Sequence, residues 1–119
     1  MIKATDPEFK IQADFIQYVK LKYPDLLYTI SPAGFIMSAG MAMKMMRMGY
    51  RKGTPDVMIF EPRGCYHGLF LEFKAPDGKV ADSQIEFKNA AMANGYSYAI
   101  VYSTDVAIKI LEAYLMSIK

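Results

Sequence analysis

The stretch Leu69-Phe-Leu-Glu-Phe-Lys-Ala-Pro76 limits what this chain can fold into more than any other. It is short, rich in aromatic and aliphatic residues, and stopped by a proline, which is the pattern of a buried β-strand. Side chains alternate across a strand, so Glu72 and Lys74, two apart, point to the same face. Leu69, Phe70, Leu71, Phe73 and Ala75 leave the rest of the segment apolar. The strand therefore belongs inside a sheet rather than on a wet edge. Its two charges need partners there, because an unpaired buried charge is costly.

Helices and strands alternate around this segment. Asp6-Pro7-Glu8 reads as a helix start, with a capping Asp, Pro at the first helical position and an acid in the first turn. Phe9, Ala13, Ile16, Val19 and Tyr23 form its expected apolar stripe, and Pro24 closes it. Leu26 to Ile30 is a short strand ended by Ser31-Pro32. Residues 34–50 carry six of the ten methionines, with Met41, Met45 and Met48 on one helical face, Met43 and Met46 elsewhere, and Gly49 as a helix stop. A helix apolar on several sides must be covered. The core is the ordinary cover; a second subunit is the alternative, since methionine adapts well to contact surfaces.

PDVMIF (55–60) reads as a strand, EPRGCYHG as a turn and LFLEFK (69–74) as the returning strand of a hairpin. A helix follows from about Asp82 to Asn94, with Ser83 and Glu86 at capping-box spacing and Gly95 as its stop. SYAIVY (97–102) is fully apolar and is expected at the centre of the sheet. Ser103 caps a last helix with the stripe Val106, Ala107, Ile110, Leu111, Tyr114, Leu115 and Ile118. The order α-β-(α)-β-β-α-β-α implies an α/β fold, a central mixed sheet flanked by helices. No repeat or linker divides residues 1–119, so one domain is expected.

Composition narrows the function classes. A hydrophobic content of 53% over 119 residues supports a modest core, and 22% charged residues do not suggest global disorder. No apolar run approaches a membrane span, and the N-terminus lacks a signal-peptide core. The one cysteine, Cys65, rules out an internal disulfide framework and a cysteine-based zinc site. A cytoplasmic location without a membrane partner is the expectation. Net charge is only +2, but Lys44, Arg47, Arg51 and Lys52 fall in a span free of acids between Asp25 and Asp56. That patch either faces solvent or meets phosphates.

Asp56 opens the strand that precedes LFLEFK, sixteen residues before Glu72. If the two strands pair as a hairpin, Asp56 comes beside the end of LFLEFK, and the two carboxylates can share a divalent cation. Such hard oxygen ligands suit Mg²⁺ or Mn²⁺. Without a metal the two would repel and raise a pKa.

Pro55-Asp56 … Glu72-Phe73-Lys74 resembles the motif of the PD-(D/E)xK nuclease superfamily. Further matches make the chain similar to its virus-type replication-repair nuclease family, VRR-NUC. They are Gln84 ten residues beyond Lys74, Glu8 and Gln12 in the first helix, Gly49-Tyr-Arg-Lys-Gly-Thr-Pro-Asp56, Gly68-Leu-Phe-Leu-Glu-Phe-Lys-Ala-Pro76, Ala93-Asn-Gly-Tyr96 and Glu112-Ala-Tyr-Leu115. The resemblance spans Glu8 to Leu115. One departure is the loop Pro32-Ala33-Gly34-Phe35, where the family often has Pro-Asn-Gly-Gly with a basic residue soon after; here the first base is Lys44.

The resemblance implies a restriction-endonuclease-like fold and a metal-dependent DNA endonuclease that hydrolyses phosphodiester bonds. Asp56, Glu72 and the Phe73 carbonyl would hold Mg²⁺ or Mn²⁺. Lys74 would stand by the attacking water and the phosphate, Gln84 would orient Lys74 or the water, and Glu8 would complete the outer acidic set. Lys44, Arg47, Arg51 and Lys52 are the candidate DNA contacts, with Tyr50 beside them. The family further implies a homodimer acting on branched DNA as a Holliday-junction resolvase does, in phage or bacterial DNA processing or repair. The alternatives are a flap or nicking nuclease on the same fold, and a non-catalytic DNA-binding module. His67 and Cys65 read as surface residues, Asp77-Gly78-Lys79 as a turn, and Asp105 as support for the last helix's N-terminus.

Overall fold

The computed structural model describes residues 5–32 and 38–118. Ala33-Gly34-Phe35 of the departing loop, and Met37 of the methionine-rich segment, lie outside these residues. The order of elements is α1 (Pro7–Lys22), β1 (Tyr28–Ile30), α2 (Ala39–Arg47), β2 (Val57–Ile59), β3 (Leu69–Phe73), α3 (Asp82–Ala93), β4 (Ser97–Val101) and α4 (Thr104–Leu115). This is the predicted order, and the strands form one mixed sheet in the order β1-β2-β3-β4. β1–β2 and β2–β3 are antiparallel, and β3–β4 is parallel.

β3 is the centre of the molecule, and every one of its five residues is buried. Leu69, Leu71 and Phe73 point to one face, where Val57, Ile59 and Val101 join them. Helices α1 and α4 cover that face with Phe15, Val19, Ala107, Leu111 and Tyr114. The Phe15 and Phe73 rings meet at 5.5 Å. Where the two helices run together, Glu112 accepts hydrogen bonds from the Tyr18 and Tyr23 hydroxyls and from Lys22 Nζ, the last at 2.7 Å. These donors hold the Glu112 carboxyl down to about 2. The opposite face of β3 carries Phe70 and Glu72. Phe70 stacks on Tyr96 at 4.5 Å and touches Phe87 of α3.

Four expectations change. First, β4 is not central: among the described residues it forms the edge of the sheet. It reads as apolar because its faces are covered by helices, and face burial does not require strands on both sides. Second, the buried stripe of α1 centres on Phe15 and Val19, one turn apart, while Phe9 and Ala13 are exposed. Third, α3 starts at Asp82 with Ala81 as its N-cap, so the box is not Ser83 with Glu86. Instead the Gln84 side chain reaches back to accept the Ala81 N–H at 2.8 Å. Fourth, α2 is not core. None of its described residues is buried, and it packs against no other element among the described residues. It ends in a Schellman motif, in which Gly49 N–H bonds the Met46 carbonyl and Tyr50 N–H the Met45 carbonyl. Gly49 adopts φ +112° there.

No helix among the described residues is long and apolar enough to cross a membrane. Phe15 is fully buried and lies away from the charged face of β3. Phe15→Ala should cost about 3–5 kcal/mol in urea unfolding, the range for truncating a core Phe.

Candidate active site

The β2–β3 register builds the site. Val57 pairs with Leu71, so Asp56, one residue earlier, falls beside the Glu72–Phe73 end of β3. Two backbone contacts fix it. Ser31 N–H donates to the Asp56 carbonyl at 2.9 Å. Phe73 N–H donates to Asp56 Oδ2 at 2.8 Å. In an extended strand a residue's N–H and C=O face the same neighbouring strand, so the Phe73 carbonyl also points toward Asp56.

Glu72 is 3% exposed. Its two oxygens are used differently. Oε2 accepts Gln84 Nε2–H at 2.7 Å and faces Lys74 Nζ at 3.8 Å. Oε1 is buried and has no donor among the described residues. Gln84 is itself pinned by the Ala81 N–H on its Oε1, which fixes which end of the amide faces Glu72. Lys74 sits just past β3 and extends the parallel ladder through its N–H to the Val101 carbonyl at 2.9 Å. That bond carries its side chain back over Glu72. The residues that the sequence groups as Asp56, Glu72, Lys74 and Gln84 thus meet at one end of the sheet.

Burial, and then the charge of Asp56, push the Glu72 carboxyl up to about 9. Burial also raises Asp56, against the opposing pull of the Phe73 N–H. The two carboxyls lie within reach of a shared proton. With both ionised, neither donates, and Glu72 Oε1 is left bare. Glu8, in the first turn of α1, raises both further by its charge. It therefore belongs to the field of the site, but among the described residues no three His, Cys, Asp or Glu side chains are grouped to hold one ion.

The candidate DNA contacts separate. Arg51 and Lys52 lie on the loop that leads to Asp56, and that loop is pressed onto the start of α3. A Cβ on Gly53, whose φ is +89°, would meet the Ser83 carbonyl oxygen at 2.1 Å, so the approach requires glycine. The Arg51 guanidinium lies 5.4 Å from the Phe87 ring centre. Lys44 and Arg47 ride on the exposed helix α2, away from any other element among the described residues. His67 and Cys65 are exposed, as the sequence suggests.

The family model of the VRR-NUC domain matches residues 37–105. The chain belongs to the VRR-NUC family. Asp56, Glu72, Lys74 and Gln84 all fall within the matched span, and membership makes this a domain of nuclease type. A solved structure described as a VRR_NUC domain protein is similar in fold, with a TM-score of 0.81 at 24% identity over 99% of this chain and 94% of that one. The VRR-NUC chain thus has the restriction-endonuclease-like α/β fold. No curated protein matches it.

The raised carboxyls fix the sign of a pH effect. A carboxyl whose pKa is higher folded than unfolded stabilises the fold fully below its unfolded pKa, and that contribution is lost as pH rises toward the folded value. The metal-free protein should therefore lose stability from about pH 5 to pH 9. Glu72→Gln keeps the shape, cannot ionise, and should raise Tm at pH 8 by about 4 °C or more, the shift ~1 kcal/mol gives in a domain of this size. Thermal melts across that range check both the slope and its flattening in the variant.

Proposed function

We propose that the chain is a metal-dependent, structure-specific DNA endonuclease that hydrolyses phosphodiester bonds, with four-way junctions as its substrate in the manner of a Holliday-junction resolvase. The observation that carries this reading is the pair of buried Glu72 and half-buried Asp56, with one Glu72 oxygen bare and Lys74 beside it. Two carboxylates without a third suit Mg²⁺ or Mn²⁺, which keep waters and phosphate oxygens as their other ligands.

Asp56 and Glu72, with the Phe73 carbonyl, would hold the ion. A bound divalent cation supplies Lewis-acid polarisation of the phosphate and a water of lowered pKa. The protein's own groups do the rest. Gln84 holds Glu72 in place by its Nε2–H on Oε2, which leaves Oε1 without a protein donor. Lys74 offsets the negative charge that builds on the phosphate and favours deprotonated water next to it. Glu8 adds negative potential that strengthens cation binding. Arg51 and Lys52, on the loop against α3, are placed to grip backbone phosphate close to the site, and Lys44 and Arg47 to do so farther out.

A homodimer completes the proposal, because paired incisions across a symmetric junction need two sites. The exposed methionines of α2, including Met41 and Met46, supply an apolar surface for it. The compartment is the cytoplasm, where the exposed Cys65 stays a thiol.

Labelled four-way junction, 5′ flap and plain duplex, each with Mg²⁺, Mn²⁺ or EDTA, test the activity. Metal-dependent cutting of the junction should fall at least ~10³-fold in Glu72→Ala and in Lys74→Ala, the scale of losing a group that stabilises the transition state. Cutting of flaps alone would leave the nuclease standing and remove the resolvase reading. Tight binding of all three substrates with no cutting under either metal would favour a non-catalytic DNA-binding module. For the dimer, Met41→Lys should halve the mass seen by light scattering; an unchanged dimer mass in a soluble variant would clear α2 of that role.

A further inference from the structure

Part of the apolar stripe on α1 is left over by the core. Phe9, Ala13 and Ile16 follow helical spacing, yet Phe9 is 40% exposed and the core closes on Phe15 and Val19 instead. The same mismatch recurs on β1. Tyr28 pairs with Ile59 and Ile30 with Val57, so both share the face of two buried residues. Ile30 is nevertheless 42% exposed. The cause is placement: among the described residues α1 packs on β3 and α4, and not on β1.

A groove of about 440 Å³ lies in that gap, between Phe9, Gln12, Ala13 and Ile16 of α1 and Tyr28 and Ile30 of β1. Its volume is that of a pocket for a small molecule or a nucleotide. The groove is continuous with the candidate active site. Asp56 lines it, and Glu8, next to Phe9 in the chain, is close enough for its charge to act on Asp56 and Glu72. Lys20 lines it about three turns farther along α1. This lining suits a nucleobase. Phe9, Ile16 and Ile30 offer apolar surface to the faces of a ring, and the Gln12 amide offers a donor and an acceptor to its polar edge. Lys20 can meet a phosphate farther along. An apolar segment of another protein would instead cover Gln12 and Lys20 without satisfying them.

We propose that this groove takes the unstacked base of a DNA nucleotide next to the scissile phosphate, with Phe9 as its stacking surface, and that this step makes the site prefer branched DNA to plain duplex. The assignment rests on the nuclease reading above. At a branch point a nucleotide has already lost part of its stacking, so turning its base out costs little. In a plain duplex the full stacking and pairing must be broken first. Stacking on an aromatic ring tolerates any base, because every base has a π-face. The groove therefore selects for DNA structure and not for sequence.

Phe9 is exposed and lies outside the core, so Phe9→Ala should fold with an unchanged Tm. Its preference for a four-way junction over plain duplex, read as the ratio of the two Kd values in Ca²⁺, should fall about tenfold, the scale of one lost base–aromatic stack. 2-Aminopurine placed at the nucleotides that flank the branch should change its emission when the wild type binds, and much less when Phe9→Ala binds. A ratio within twofold of wild type, or an emission change that is the same for both proteins, would overturn the proposal. An unchanged ratio with a halved mass in light scattering would give the groove to a second copy of the chain, and an unchanged ratio with a lowered Tm to the chain's own packing. Neither readout needs cutting, so the two readings fail separately. A wild type that cuts junctions while Phe9→Ala keeps the ratio removes the groove and leaves the nuclease. A wild type that never cuts, with the ratio lost in Phe9→Ala, removes the nuclease and keeps the groove as a site for an unstacked base.

Discussion

A carboxylate in the middle of an apolar strand is the constraint that organises this molecule. Glu72 is buried in β3, between β2 and β4, with apolar neighbours along the strand. Such a group must be neutralised by a proton, a cation or donors. The protein provides part of each. Gln84 and Lys74 satisfy one oxygen, and Asp56 sits close enough to share a proton with the other side of the pair. The rest of the architecture serves that arrangement. The tight β2–β3 register brings Asp56 in, α3 starts where its third residue can reach Glu72, and Gly53 lets the preceding loop lie against that start.

The two faces of the sheet divide the labour. One face, closed by α1 and α4, holds the apolar core and the Glu112 clasp. The other, under α3, carries the aromatic cluster of Phe70, Tyr96 and Phe87, together with Glu72 and Tyr98. Because a strand alternates strictly, β3 can anchor the core with Leu69, Leu71 and Phe73 while presenting Glu72 to the site. Rigidity for the chemistry thus comes from the core one residue away. A charged centre on a central strand gains a precision that a loop would not give it.

Much of this is legible in the residues alone. The order of elements and the hairpin follow from local patterns of alternation and turn residues, and the grouping of Asp56, Glu72, Lys74 and Gln84 follows from the resemblance to the nuclease family. What the sequence misplaces has a common cause. Phe9 fits the helical stripe of α1 as well as Phe15 does, but only packing decides which side meets the sheet. The apolar run of β4 matches a central strand, yet helices cover its faces at the sheet edge. The methionines of α2 look like core, and none of the described ones is buried. Each error confuses being apolar with being covered by a particular neighbour.

The sequence by itself determined the strand and helix order, the membership in a nuclease family and the charged face of β3. Those properties are written in residue types at fixed spacing, and spacing survives without a partner in view. Only the tertiary structure decided that Gln84 bonds Glu72 and Ala81 together, and that Glu8 reaches the site as a field rather than as a ligand in a three-acid cluster among the described residues. These depend on the register between strands far apart in the chain and on the angle at which α3 returns. No local pattern encodes either, because both are set by how the apolar faces close on one another.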